Sequence, residues 1–256
     1  MIAMRRLLFS LLLLLSFSLV PGVAQARNYV LCVGLSKYPK GVNSLRVSAN
    51  DARTIANVYD KNGDSKVNTL FDNDATRQAV LNAMQKAFAD ATTGDAVVFF
   101  FSGHGTKKGL ACYDGVLSFD RILEIMKKCR ASTKVVIADA CFAGEMRGSK
   151  SWQRAVKNEN VMFFLSSRSD EKSRETRYSN SLFTIYLERG LRGGADVNLD
   201  RTITAREIYD FCHEGVIKAS NGTQHPVMWG KFNGNMPVII WKNKTKEYNY
   251  DNQENN

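Results

Sequence analysis

Residues 96–105 read AVVFFFSGHG. Six apolar residues, three of them phenylalanine, run without a polar break into Ser102-Gly103-His104-Gly105. A run of this length between Gly94 and Gly103 is apolar on both faces, which suits a central strand of a parallel sheet. Residues 135–144, VVIADACFAG, repeat the form: an apolar run, then a carboxylate at Asp139 and a thiol at Cys141. Both groups are costly to bury without partners. Two runs of this kind, each ending in a reactive side chain, set the question for the rest of the chain.

Outward from these runs, strand and helix patterns alternate. Asn28–Gly34 reads as a short buried strand, and Ser48-Ala49-Asn50-Asp51 opens a helix to about Asp60, with Asn50 or Asp51 as N-cap. Val67–Phe71 reads as a strand and Ala75–Ala91 as a helix. Asp114-Gly115 between two short apolar runs is a strong hairpin signal, and Ser118 caps a helix to about Lys128. Lys134–Ala138 and Val161–Ser166 read as further strands, and Asn180–Arg192 and Thr204–Ala219 as helices. Met236–Trp241 is the last strand, placed at an edge by Pro237. The expected class is α/β, a mostly parallel central sheet with helices on both faces. In such sheets the functional crevice lies outside the carboxyl ends of the strands. His104 and Cys141 stand at two of those ends.

Composition narrows the setting. Arg5 and Arg6 precede an apolar run from Leu7 to Val20, and Ala24-Gln25-Ala26 has the small residues of an A-x-A cleavage site. Residues 1–26 therefore read as a secretory signal peptide, the alternative being an uncleaved anchor. The mature chain begins near Arg27 with no membrane span, and the protein is expected to be exported, periplasmic or extracellular. Residues 27–242 form one domain of ordinary size, and 243–256 form a polar tail. The net charge is +10, and two units leave with Arg5 and Arg6. Lys and Arg are scattered without a basic stripe interleaved with aromatics, so nucleic acid is not an expected partner. The five cysteines include no C-x-x-C pair, which removes support for a zinc ribbon. Cys32 and Cys212 read as small core residues.

His104 lies between glycines that let the backbone turn sharply and approach a ligand. His213 and His225 lack that setting and read as structural. A nucleophilic cysteine must lose its proton, and an adjacent imidazole accepts it. His104 and Cys141 are thus the candidate dyad, with the backbone N–H groups of Gly105 and Cys141 as oxyanion donors. VVFFFSGHG followed by VVIADACFAG resembles the catalytic pair of caspase-like cysteine peptidases, most closely the metacaspase and bacterial caspase-like branch. YPKGVNSLRVSANDA, LFDNDATRQAVLNAM, FFLSSRSDEKSRE and NSLFTIYLERGL resemble that branch in the same order. The resemblance implies the caspase–haemoglobinase fold, with about six strands, and peptidase activity on proteins or peptides without a required cofactor.

Caspases carry Q-A-C-[RQG]-G around the cysteine, whereas this chain has Asp139 in the glutamine position. A carboxylate in the pocket wall repels an acidic side chain and attracts a basic one. The metacaspase resemblance pairs Asp139 with Asp51 and implies cleavage after Arg or Lys. Asp51 read alone is also a plausible helix cap, and Asp139 a plausible partner of loop N–H groups. Residues 144–160 carry Arg147, Lys150, Arg154 and Lys157. They form either a self-cleavage segment or a solvated loop. Asp196, Asn198, Asp200, Thr202 and Glu207 fall on calcium-loop positions, but Arg201 stands where that loop needs glycine. The alternative is a polar loop in which Thr204 and Glu207 form a capping box. Competing readings of the whole chain are a clostripain- or legumain-like peptidase of the same clan and a catalytically silent caspase-like binding module.

Overall fold

A computed structural model describes residues 26–141, 160–168, 171, 174 and 179–241. Its centre is a six-stranded sheet. The strands are β1 (Asn28–Gly34), β2 (Ser65–Phe71), β3 (Ala96–Ser102), β7 (Thr133–Asp139), β8 (Met162–Leu165) and β10 (Val227–Trp229), in spatial order β10-β8-β7-β3-β1-β2. The first five are parallel, and β10 runs antiparallel to β8 at the edge. This is the mostly parallel α/β sheet expected of the caspase–haemoglobinase fold. The edge strand β10 has no counterpart in the sequence pattern, because three residues are too few to show a period.

The apolar runs alternate between two cores. Leu31, Phe99, Phe101, Val136 and Phe163 face one side, where α2 (Arg77–Phe88) and α3 (Phe119–Lys128) cover them. Cys32, Phe100, Ile137 and Phe164 face the other side, under α1 (Ser48–Asn62), α4 (Leu182–Arg189) and α5 (Ala205–Ala219). Period-two alternation sends successive side chains to opposite faces, so a strand buried on both faces must be apolar throughout. Among the described residues no helix is long and apolar enough to cross a membrane.

Local chemistry sets the helix ends. Thr76 caps α2 by accepting from the Ala79 N–H, and Ser118 caps α3 by accepting from the Arg121 N–H. At α1 the cap position is Val47, with no side-chain cap bond, so neither Asn50 nor Asp51 serves as expected. The Asp114-Gly115 turn joins β5 (Gly109–Cys112) to β6 (Gly115–Ser118), and β5 also pairs with β4 (Gly105–Thr106). The strand at the chain's end, β11 (Pro237–Ile240), pairs with β9 (Thr202–Thr204) in a separate two-stranded sheet. It does not edge the main sheet.

Register places the site. Gly34, Ser102 and Asp139 lie side by side at the carboxyl ends of β1, β3 and β7. His104 and Cys141 each follow two residues beyond those level ends.

Candidate active site

The ladder between β3 and β7 continues past the strands. The Gly103 N–H donates to the Asp139 carbonyl at 3.2 Å. One step further, the Cys141 carbonyl oxygen sits against the Gly105 backbone so closely that a Cβ on Gly105 would overlap it. The His104 and Cys141 backbones thus run side by side on adjacent, in-register segments. Gly105 is glycine because that approach leaves no room for a side chain.

His104 is held from three directions. Its backbone N–H donates to the Tyr38 hydroxyl at 2.8 Å. The Tyr38 ring packs against the imidazole with centroids 4.8 Å apart. The Nε2 atom lies 2.7 Å from the Asn43 carbonyl oxygen. A carbonyl can only accept, so Nε2 must carry the hydrogen and the neutral ring keeps Nδ1 as its free base. The Tyr38 hydroxyl in turn donates to the Ala111 carbonyl at 3.3 Å, tying the loop after β1 to β5.

Among the five cysteines, none of which is in a disulfide, Cys141 alone stands at a strand's carboxyl end and is only partly buried. Cys32 and Cys212 are enclosed, and burial pushes their thiols far above the ordinary range. At Cys112, burial together with the charge of Asp114 pushes the thiol up to about 12. Those three thiols stay protonated and inert at neutral pH. Cys129 lies elsewhere, with its sulfur 3.8 Å from the Phe88 carbonyl. The backbone next to Cys141 is pinned by Ser166, whose Oγ accepts from the Ala140 N–H at 3.2 Å.

Gly105 pairs opposite Leu110, and the Ala111 N–H donates to the His104 carbonyl at 2.9 Å. That pattern makes Gly105 and Leu110 a non-hydrogen-bonded pair, so the Gly105 N–H turns away from β5. A cleft of about 720 Å3 opens beside it, lined by Tyr38, Asn43, His104, Gly105, Tyr113 and Asp114 among others.

The two carboxylates singled out in the sequence meet. Asp51, on α1, is fully buried and Asp139 is 4 % exposed. The Ser181 hydroxyl lies between them, 2.7 Å from Asp51 Oδ2 and 2.5 Å from Asp139 Oδ2. Asp51 also accepts from Ser102 Oγ, Asn180 Nδ2 and the Ser181 N–H at 2.8–2.9 Å. Asp139 accepts from Thr184 Oγ1 at 2.8 Å. One hydroxyl has one proton and cannot donate to both carboxyls at once. Burial, with the Asp139 charge adding to it, pushes the Asp51 carboxyl up to about 7. A proton shared within the pair, which the raised Asp51 carboxyl holds more tightly than an ordinary aspartate does, satisfies the second short contact. The pair does not line the cleft beside His104; it sits beneath the strand ends, under the start of α4.

The loop at 196–207 is built as a polar turn. Asp196 accepts from the Asp200 and Arg201 N–H groups, and Asp200 Oδ1 accepts from the Thr202 N–H. Thr204 and Glu207 form the capping box of α5, with the Glu207 carboxylate taken by the Thr204 N–H and hydroxyl. Arg201 adopts φ +69°, the conformation a glycine would adopt without strain. Among the described residues no group of three or more His, Cys, Asp or Glu is arranged to hold a metal ion. His213 faces the Pro226 carbonyl and His225 pairs with Glu171. Residues Arg147, Lys150, Arg154 and Lys157 lie outside the described residues.

Sequence reasoning does not single out Tyr38, Asn43, Ser166, Asn180, Ser181 or Thr184. Tyr38 and Asn43 fall in a stretch that carries the family resemblance, but nothing local marks a backbone carbonyl as the partner of an imidazole.

The family profile described as the caspase domain matches residues 27–235. A crystal structure of a Geobacter sulfurreducens protein superposes with a TM-score of 0.65 at 18% identity, covering 84% of this chain and all of that one. Caspase-1 from Spodoptera frugiperda superposes with a TM-score of 0.65 at 15% identity, covering 85% of this chain and 92% of the other. At such identities the structures share the fold. No curated protein sequence matches the chain.

Proposed function

The chain belongs to the caspase-domain family of cysteine peptidases, and on that footing we propose that it is an exported endopeptidase that cuts after Arg or Lys through a Cys141–His104 dyad. The observation that carries the reading is the side-by-side placement of the two strand ends, with His104 Nε2 committed to the Asn43 carbonyl. That commitment leaves Nδ1 to take the proton of the Cys141 thiol.

The chemistry follows from these groups. The thiolate attacks the scissile carbonyl carbon, and the carbonyl electron pair moves onto oxygen. The N–H groups of Gly105 and Cys141 receive that oxyanion. Collapse breaks the C–N bond, and His104 returns the proton to the leaving amine. His104 then takes a proton from water, which attacks the thioester and releases the acid and the thiol.

Specificity rests on Asp51 and Asp139. Two carboxyls around one hydroxyl form a site of negative potential, and an arriving guanidinium or ammonium would displace the Asp51 proton and pair with both. Cleavage after Arg or Lys is the expected outcome of fluorogenic peptides that differ only at that residue, run with and without calcium to test loop 196–207. Preference for Asp or Asn would defeat the specificity reading, and turnover unchanged in Cys141→Ala would defeat the mechanism. Self-cleavage after one of Arg147, Lys150, Arg154 or Lys157 is part of the proposal. It predicts fragments in the purified parent that are missing from Cys141→Ala.

A further inference from the structure

At the opposite end of the sheet from the crevice, one seven-residue strand away, a buried carboxylate faces the backbone nitrogen of Arg27. Asp95, 8 % exposed, accepts from the Arg27 N–H at 2.9 Å through Oδ1. Its other oxygen accepts from the Thr92 N–H at 2.7 Å and the Thr92 hydroxyl at 2.8 Å. The Arg27 carbonyl is fixed as well, accepting from the Ala96 N–H at 2.9 Å. Burial pushes the Asp95 carboxyl up, but the Arg27 and Thr92 donors and the Arg27 charge outweigh it and hold the group below its ordinary range. A cavity of about 100 Å3 adjoins this point, lined by Ala26, Arg27, Asn62, Asp64 and Asp95 among others. Asn62 also has a buried Oδ1 with no hydrogen-bond partner among the described residues.

The nitrogen so held is the one that cleavage after Ala26 would free. We propose that removal of the leader turns the Arg27 nitrogen into an α-ammonium docked on Asp95, an ion pair that locks the base of the sheet only in the processed protein. Hydrolysis of the Ala26–Arg27 peptide bond adds water, gives Ala26 a carboxylate and leaves Arg27 an ammonium with three donors where the amide had one. One donor keeps the Asp95 contact, now charge-assisted and stronger. The cavity gives the remaining donors room for water. Export and folding are thereby coupled: the precursor lacks the charge that completes the site. The inference rests on the leader reading and is independent of the peptidase chemistry, which lies at the other end of the strands.

Among the described residues, the charged groups lining the cavity are Asp95, Asp64 and the Arg27 guanidinium; β7 and β11 contribute the uncharged Thr133, Pro237, Ile239 and Ile240. A free α-amine titrates at about 7.7–8.0, and a carboxylate partner raises that value in the folded state. The stabilisation is therefore complete below about pH 7.7 and is lost as pH rises through the higher folded value.

The test compares the exported full chain with the same chain carrying Gly-Ser inserted between Ala26 and Arg27, each with and without Asp95→Asn. Intact mass is expected to place the first residue of the parent at Arg27; another start site overturns the leader reading on which the inference rests. The parent is expected to melt about 3 °C or more above the insertion form at pH 7. That gap closes at pH 10 and in the Asp95→Asn background. Equal melting of the two forms at pH 7, or a gap that survives Asp95→Asn, overturns the docking.

Discussion

Asp51→Asn is expected to make the protein more stable and less active at the same time. In the folded protein the Asp51 carboxyl is pushed up to about 7, against an ordinary 3.8, by burial and then by the Asp139 charge. A folded value above the unfolded one means that the native state binds more protons between those pH values, so stability falls as pH rises through that window. The contribution is whole below about pH 4 and gone above about pH 7, and the gap corresponds to about 4 kcal/mol. The group is fully buried, so solvent screening does not reduce that figure much. An amide fits the same contacts. Its oxygen takes the Asn180 and Ser181 N–H donors, its NH2 donates to the Ser102 and Ser181 hydroxyls, and the Ser181 hydroxyl then donates to Asp139 alone. In a Cys141→Ala background, urea unfolding at pH 5 and pH 8 is expected to show the parent losing a few kcal/mol between them and Asp51→Asn losing little. At pH 8 the variant melts higher by several degrees. In the proposed basic pocket, losing one of the two carboxyl charges is expected to lower kcat/KM for an Arg peptide by roughly 30-fold or more. An unchanged pH slope in Asp51→Asn refutes the shared-proton account, and undiminished Arg cleavage refutes the pocket.

Three further outcomes follow from the same geometry. Gly105→Ala places a methyl group where the Cys141 carbonyl now lies, so one strand end must shift; peptide turnover is expected to fall at least about 100-fold, read with melting temperature to show that the fold persists. Tyr38→Phe leaves the His104 N–H without its acceptor and is expected to cost about 1–3 kcal/mol, with kcat falling more than KM rises in steady-state kinetics. Thr204→Ala removes the capping box of α5 and is expected to cost about 1 kcal/mol in urea unfolding, with the same loss in calcium and in chelator.

Much of the fold is legible in the amino-acid sequence. The doubly apolar runs at 96–101 and 135–138 suit central strands, and both are wholly buried in the sheet. The Asp114-Gly115 turn and the Ser118 cap are local, and local chemistry reads locally. The differences involve short or distant pairing. Val227–Trp229 is too short to show a period, and β11 satisfies its backbone against β9 rather than the main sheet. Asp51 reads as a helix cap because an acidic residue in a first turn is usual there. Its side chain instead turns inward to groups more than fifty and more than a hundred positions away.

The sequence by itself determined the layers, since strand alternation and helix periodicity are properties of neighbouring residues, and it put His104 and Cys141 at strand ends. Register is a different matter. Only the packed sheet levels Ser102 with Asp139, sets the Cys141 carbonyl on Gly105, and lets the Asn43 carbonyl choose the tautomer of His104. Ser181 comes from another element entirely to stand between two carboxyls. A generic hydroxyl and a backbone carbonyl carry no signature in one dimension; they acquire their roles because burial forces each polar group to find a partner, and the fold decides which one is within reach.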